Sequence, residues 1–374
     1  MDSSEIAHRH TANNQRVLVA MSGGVDSTVA ASLLKDQGYQ VTGLMFRLWN
    51  IPGAEEYNKC CTPDAVHLAR RVAAQLGIPF YVIDTQQPFR DIVVQSFIDG
   101  YKNGITPNPC YICNQKFRWT YLLRYADSFG IEYIATGHYA KVLENDGVFR
   151  LDKGIDESKD QTYMLAGLNQ QQLSRTILPL GTYLKKTVRK IARDKNLLVA
   201  NKPDSQDLCF LGNVDYRQFL ANYDHEINNF GQILDVDGKL LGEHKGLAYC
   251  TIGQRKGLGL SGKNPLYVIN KDLKNNILVV GEENELGTTS AYITDINWLS
   301  GLPKKDSFDA TVKIRYKANY VSAHVIPIDE NNAKLIFFQE LRDITPGQVA
   351  VIYDFEEVVC GGTIISKDDQ GLME

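Results

Sequence analysis

Three cysteines and one glycine turn carry most of the reactive potential of this chain. Cys110 and Cys113 stand three apart in PNPCYICNQKFRW (107–119), after two prolines and before a basic, aromatic run. A C-x-x-C pair suits four chemistries: half of a zinc site, a redox couple, iron–sulfur ligands, or the seat of a thiolate nucleophile. A structural zinc site needs a second pair at short spacing. None follows, because Cys60 and Cys61 are adjacent while Cys209, Cys250 and Cys360 stand alone. A thioredoxin-like pair opens a helix directly after a strand, whereas NPC reads as a turn. Cys209, in KPDSQDLCFLG (202–212), follows a polar, turn-rich stretch and opens a short apolar one. The plain alternative for it is a lone buried thiol. The glycine turn lies in VLVAMSGGVDSTVAASLL (17–34), a strand, a Gly-Gly corner and a helix that begins with Asp26, Ser27 and Thr28. Helix N-termini present unpaired N–H groups and a positive dipole end, so such a loop suits a phosphate. It is not the GK[ST] type, since no lysine follows the glycines.

The elements that must hold these groups are readable along the chain. RVLVAM, QVTGLMF, PFYVID and IEYIATG have the composition of buried strands, and STVAASLLKDQG, DAVHLARRVAAQLG and RWTYLLRYADSFG that of helices between them. Gly38, Gly77 and Gly130 fall where each helix should stop. The alternation predicts a doubly wound parallel α/β sheet over residues 1–213. Residues 214–282 open with a short helix, YRQFLANY, and turn to Gly-punctuated loops and a hairpin, LYVINKDLKNNILVVG; they form a small mixed domain. From 283 to 374, strand follows strand, which predicts an all-β barrel.

Bulk properties exclude several classes. With 44% hydrophobic and 22% charged residues in 374, the profile is that of a multidomain globular protein. The polar opening MDSSEIAHRHTANNQ lacks the apolar core of a signal peptide, and no run approaches the ~18 apolar residues of a spanning helix. A cytoplasmic protein with reduced thiols and no membrane partner is expected. The net charge of −4 argues against a general nucleic-acid binder, yet KFRWTYLLR, YLKKTVRKIARDK and HKGLAYCTIGQRKGLGLSGK are locally basic.

The SGGVDS string, placed between strand and helix, resembles the phosphate loop of the PP-loop ATP pyrophosphatases. That resemblance implies ATP, with Mg2+, cleaved to AMP and pyrophosphate as a substrate oxygen is adenylated. A nucleophile must then displace the AMP.

Taken with AMSGGVDSTVAASLL, the segments CCTPDAVHLARRVAAQLGIPFYVID, GITPNPCYICNQKFRW, ATGHYAKV, SKDQTYMLAGL, NKPDSQDLCFLG, HKGLAYCTIGQRKGLG, KIRYK and ITPGQVAVIYD make the chain similar, nearly end to end, to the tRNA-specific 2-thiouridylases. The resemblance implies a tRNA substrate, modified at the wobble uridine of the anticodon loop in Glu, Gln and Lys tRNAs. It also implies a sulfur donor protein, a cysteine desulfurase or a sulfur-relay protein, that supplies a persulfide. Carried over by position, the ATP site falls on Ala20, Met21, Ser22, Gly23, Gly24, Val25, Asp26 and Ser27, with Phe46 and Gly137. The nucleophile falls on Cys113 and the persulfide carrier on Cys209. Contacts to tRNA fall on His138, Lys159, Asp160, Gln161, Arg315, Tyr316 and Gln348, and the target base on Asn108, Pro109 and Cys110. Many members have an Asp where this chain has Cys110, which leaves the acid/base role without an owner.

A thiol of ordinary pKa is mostly protonated at neutral pH, so Cys113 is expected to be activated, with Lys116 and Arg118 as candidate cations. Asp26 is expected in an exposed turn. The basic helix Lys185–Arg193 and the loop Gln254–Lys256 would hold tRNA phosphates. Three rival readings stay open at this point, one of them a non-catalytic tRNA-binding module that has kept a vestigial nucleotide loop. Cys110, Cys113 and Cys209 would suit three corners of a [4Fe–4S] cluster; a PP-loop ligase forming an amide would need no cysteine at all.

Overall fold

The computed structural model describes residues 14–49, 51, 62–204, 208–212, 214–260, 264–304, 306–342 and 344–366. Cys60 and Cys61, and residues 205–207 just before Cys209, lie outside the described residues.

The N-terminal part runs β1 (Arg16–Ala20), α1 (Val25–Asp36), β2 (Gln40–Arg47), α2 (Pro63–Leu76), β3 (Phe80–Asp84), α3 (Gln86–Phe89), α4 (Gln95–Lys102), α5 (Pro109–Ile112), α6 (Trp119–Ser128) and β4 (Tyr133–Ala135). A hairpin, β5 (Ala140–Asn145) and β6 (Val148–Lys153), precedes α7 (Thr162–Leu165), α8 (Gln170–Ser174), β7 (Thr176–Ile177) and α9 (Lys185–Asp194). The expected parallel sheet is present, in the order β3-β2-β1-β4-β7. Gly38, Gly77 and Gly130 all take positive φ where α1, α2 and α6 stop, a conformation that a side chain would disfavour. The strand order reverses between β1 and β4, and ligands of such sheets sit beyond the carboxyl ends at that crevice. The SGGVDS loop leaves β1 there.

The central part holds α10 (Tyr216–Tyr223) and a four-stranded sheet of β8 (Gly231–Asp235), β9 (Leu240–His244), β10 (Tyr267–Asp272) and β11 (Ile277–Gly281). β10 and β11 form the hairpin read from the sequence. Lys271, buried in this part, donates to the Gly104 carbonyl at 2.7 Å and so ties it to the end of α4.

Strands β12 (Thr288–Trp298), β13 (Phe308–Lys313), β14 (Val321–Pro327), β15 (Ala333–Leu341), β16 (Val349–Asp354) and β17 (Glu357–Ile364) make an antiparallel barrel that β12 closes by pairing with β17. The N-terminal hairpin joins this sheet through β6 on β17, a long-range pairing with no local signal. One apolar cluster therefore spans both parts: Tyr111, Trp119, Tyr163 and Leu165 pack with Leu299, Val349, Val351, Tyr353 and Val358. Among the described residues no helix is long and apolar enough to cross a membrane.

Candidate active site

The phosphate loop is shaped by its smallest residues. Gly23 has φ +67°, and Gly24 leads into α1 as its N-cap. The Ser22 N–H donates to the Ser27 hydroxyl at 3.2 Å, which draws the loop closed over the first turn of α1. The side chains of Met21 and Val25 are buried, and the Met21 N–H is spent on the Leu44 carbonyl. The first N–H groups of α1 have no intrahelical acceptor and face the crevice that a phosphate would fill. Gly137, just past β4, lies so close that a Cβ there would stand 2.6 Å from the Ser27 nitrogen, so glycine is required at that position. Phe46, at the end of β2, meets Phe117 with ring centroids 5.7 Å apart and so connects this crevice to the cysteine helix.

Asp26 is not the loosely held turn residue expected. Its carboxylate accepts from the Tyr139 hydroxyl at 2.8 Å and from the Lys185 ammonium at 2.7 Å to each oxygen. Lys185 also reaches Asp204 at 2.9 Å, and Arg189 and Lys159 meet the same Asp204 carboxylate at 2.5 and 3.2 Å. Burial pushes the Asp204 carboxyl up, but these three cations outweigh it and leave its pKa below the ordinary value. Lys202 donates to the Gly23 carbonyl at 3.0 Å. Sequence reasoning gave no role to Tyr139, Lys202 or Asp204 and assigned Lys185 to tRNA; nothing local marks their convergence on the loop.

Asn108 caps α5 by accepting the Tyr111 N–H at 3.1 Å, and Pro109 takes the first helical position, where its missing N–H costs nothing. Cys110 sits on this turn, and Cys113 begins a π-helical stretch, Cys113–Arg118, a backbone form concentrated at functional sites. Cys113 is buried in an apolar cluster with Phe89, Phe97, Phe117, Phe210 and Phe219, and the half-buried Cys209 packs against the same cluster. Burial pushes the Cys113 thiol up, opposed by the Arg118 guanidinium; the net direction is upward, opposite to the activation expected. Burial and the neighbouring Cys113 push Cys110 up to about 11 against the same arginine. Of the two cations proposed from sequence, Arg118 acts on these thiols.

Arg118 also reaches His138 Nε2 at 3.4 Å, while His138 Nδ1 lies 2.7 Å from the Thr136 hydroxyl. Arginine only donates, so Nε2 is the acceptor and the ring is neutral with its proton on Nδ1. Burial and Arg118 lower the His138 pKa to about 3.

The carried-over tRNA positions divide by environment. Lys159 is engaged with Asp204. Asp160 is buried, its carboxylate taking the Thr162 hydroxyl at 2.6 Å and the Gly154 N–H at 3.2 Å. Gln161 accepts the Tyr139 N–H at 3.0 Å and so lies one residue's bonds from Asp26. Gln348 donates to the Thr106 carbonyl at 2.8 Å, docking the barrel on the strand of chain before Asn108. Tyr316 stacks obliquely on Tyr163, centroids 6.1 Å apart, and Arg315 acts on the Tyr163 hydroxyl, where burial is the larger influence.

Part of this set, from Asn108 to Cys110 with Tyr316 and Gln348, lines a cleft of about 700 Å3; the phosphate loop, Cys113 and His138 lie outside its lining. Its walls include Asn108, Pro109 and Cys110 on one side, Leu208 and Leu211 on another, and Tyr316 and Gln348 from the barrel. The volume lies in the range of small-molecule clefts, and the lining mixes apolar and polar side chains. Among the described residues no three His, Cys, Asp or Glu side chains gather closely enough to hold a metal ion. As arranged, Cys110, Cys113 and Cys209 do not fit the three corners of a cluster, and both oxygens of the Asp26 carboxylate are engaged by the Lys185 ammonium.

Three domain models match the chain in order: "tRNA methyl transferase HUP domain" over residues 15–213, "tRNA methyl transferase PRC-barrel domain" over 217–282, and "Aminomethyltransferase beta-barrel domain" over 288–365. The tRNA-specific 2-thiouridylase MnmA of Natranaerobius thermophilus is 46% identical over 94% of this chain and 98% of that protein. That of Carboxydothermus hydrogenoformans is 45% identical over 94% and 97%, and that of Clostridioides difficile 42% identical over 95% and 99%.

Proposed function

This chain belongs to the tRNA-specific 2-thiouridylase family, and from that premise we propose that it is an ATP-dependent sulfurtransferase acting on carbon 2 of a tRNA wobble uridine. The family match along nearly the whole chain carries this reading. It outweighs the methyl-transfer wording of the domain descriptions, since full-length likeness covers loop, cysteines and barrel together.

In this reading the uridine O2 attacks the α-phosphorus of ATP, pyrophosphate leaves, and carbon 2 gains AMP as a leaving group. The Gly23–Ser27 loop holds the phosphates, and Asp26 would hold the Mg2+ that accompanies them, neutralising charge there. The terminal sulfur of a Cys209 persulfide attacks carbon 2 and AMP departs with O2. Cys113, as thiolate, then attacks the Cys209 sulfur; the new S–S bond leaves both cysteines oxidised, and the transferred sulfur keeps the electron pair as 2-thiouridine. An external dithiol resets the pair. The common cleft supports this reading because Cys110 and Leu208, next to Cys209, line the same opening as Tyr316 and Gln348. The reaction requires that bulk water, which would hydrolyse the adenylate, be kept out once the tRNA is bound. The uridine enters by leaving its stack, as any base worked on inside a loop must.

The substrates are the Glu, Gln and Lys tRNAs, and the persulfide comes from a cysteine desulfurase or a sulfur-relay protein. Incubation of the protein with unmodified tRNA, ATP and a persulfide donor, followed by mass analysis of the nucleosides, tests the proposal. 2-Thiouridine together with stoichiometric AMP is expected. A methylated nucleoside without thiolation, or thiolation without AMP, would overturn it.

A further inference from the structure

A loop that binds a triphosphate needs positive charge, and SGGVDS contains none. Helix dipole and backbone N–H groups contribute part of it, but phosphate sites commonly add a lysine as a point charge. The fold brings two lysines to the loop from far along the chain. Lys202 donates to the Gly23 carbonyl at 3.0 Å, on the loop's own backbone. Lys185, the first residue of α9, places its ammonium 2.7 Å from both oxygens of Asp26, with its side chain only 11% exposed.

We propose that Lys185 and Lys202 are the phosphate-binding cations of this nucleotide site, supplied by α9 and the segment after it in place of the lysine that the loop lacks. The inference rests on the reading of the loop as an ATP site and deepens it. Three features support it. Lys185 is too buried to meet a tRNA backbone, unlike its exposed helix neighbours Lys186, Lys190 and Arg193. It is held by carboxylates that an incoming anion and its Mg2+ can replace, since Asp26 is the loop's own acid and exchanges one cation for another. Positive charge is also in excess: Lys159, Lys185, Arg189 and Lys202 face Asp26, Asp156 and Asp204, with Asp156 spent on the Lys185 backbone N–H at 2.8 Å. Arg189 holds the second lysine in place, donating to the Lys202 carbonyl at 3.1 Å while it pairs with Asp204.

The two lysines thus act on substrate phosphates, and Asp204 and Arg189 position them. Before ATP arrives, Asp26 and Asp204 keep the buried Lys185 ammonium paired, and the Gly23 carbonyl holds that of Lys202. Once it arrives, charge-assisted bonds to phosphate replace those to carboxylate.

The test is equilibrium binding to the full chain of an ATP analogue with a methylene bridge between its α and β phosphorus atoms, with tRNA affinity measured in parallel. Lys185→Met and Lys202→Met should each weaken analogue binding about tenfold or more, the loss of one charge-assisted contact, and leave tRNA affinity unchanged. Lys186→Met should not alter analogue affinity. If Lys185→Met does not fold, Lys202→Met, at a half-buried surface position, still decides the question. Wild-type analogue affinity in the folded variants, or loss of tRNA binding with analogue binding intact, would overturn the inference. A wild-type chain that binds no analogue would instead overturn the reading of the loop as an ATP site.

Discussion

The Lys185 ammonium lies 2.7 Å from both carboxylate oxygens of Asp26, a residue 159 positions earlier in the chain. Asp26 is therefore a structural partner as well as a residue of the proposed ATP loop. Asp26→Ala should abolish AMP formation and also lower stability by about 1–3 kcal/mol, because the Tyr139 hydroxyl loses its acceptor and the buried Lys185 ammonium keeps only Asp204. Asp26→Asn, which keeps an oxygen for Tyr139, should lose less. Thermal melts of both variants check this, and an Asp26→Ala protein that melts like wild type contradicts it.

The barrel is not a detachable module. Removing residues from 283 onward strips Val349, Val351, Tyr353 and Val358 from Tyr163 and Leu165, all of them buried, and leaves β6 without β17. An apolar face of that size exposed to water favours aggregation. The truncated chain should be poorly soluble and should bind a hydrophobic dye. A monodisperse fragment with a cooperative melt would refute this.

What could be read from the sequence was local. The four main strands, their helices and the turns at Gly38, Gly77 and Gly130 are set by periodicity and by a need for positive φ, both visible in a short window. The SGGVDS loop is contiguous and so was legible whole. The cation set around it was not, because Lys185, Lys202 and Asp204 are joined to Asp26 only by tertiary packing. For the same reason α9 reads as one basic face, while its first residue points inward. The cleft draws on five separated stretches of chain, and the hairpin Ala140–Lys153 carries nothing that announces its pairing with the barrel. The raised thiol pKa of Cys113 follows from burial among phenylalanines dispersed over more than a hundred positions.

Cysteine replacements should separate by role. Cys113→Ser and Cys209→Ser should each stop thiolation while ATP and tRNA still bind, because a hydroxyl neither carries a persulfide nor ionises near neutral pH. Cys110→Ser should stay partly active. Burial and Cys113 push the Cys110 thiol up to about 11, so it is protonated at neutral pH, and serine keeps a hydroxyl donor in its place. Nucleoside mass analysis of the three variants is the measurement; an inactive Cys110→Ser protein with normal ligand binding would contradict the assignment.

Arg118 opposes the effect of burial on Cys113. Arg118→Gln should move the midpoint of the pH profile for Cys113 alkylation upward, followed by peptide mapping to isolate that residue from Cys110. A midpoint that stays in place would mean that the guanidinium has no hold on the thiol.

His138 makes stability fall in mild acid. Burial and Arg118 lower its pKa to about 3 in the folded chain, against an ordinary value near 6.5 in the unfolded one. Between those values the unfolded state binds a proton that the native state refuses, so stability rises with pH across the window. Acidification from about 6.5 toward 3 therefore drives unfolding, and above that range the contribution is fully present. His138→Gln, which can still donate to the Thr136 hydroxyl and accept from Arg118, removes the titrating group. Urea midpoints measured from pH 7 to 4 should consequently decline less steeply for the variant than for wild type, the two curves converging toward neutral pH apart from a constant offset. Parallel curves would show that the ring protonates freely in the native state, and so that its nitrogens are not held by Thr136 and Arg118 in the neutral form.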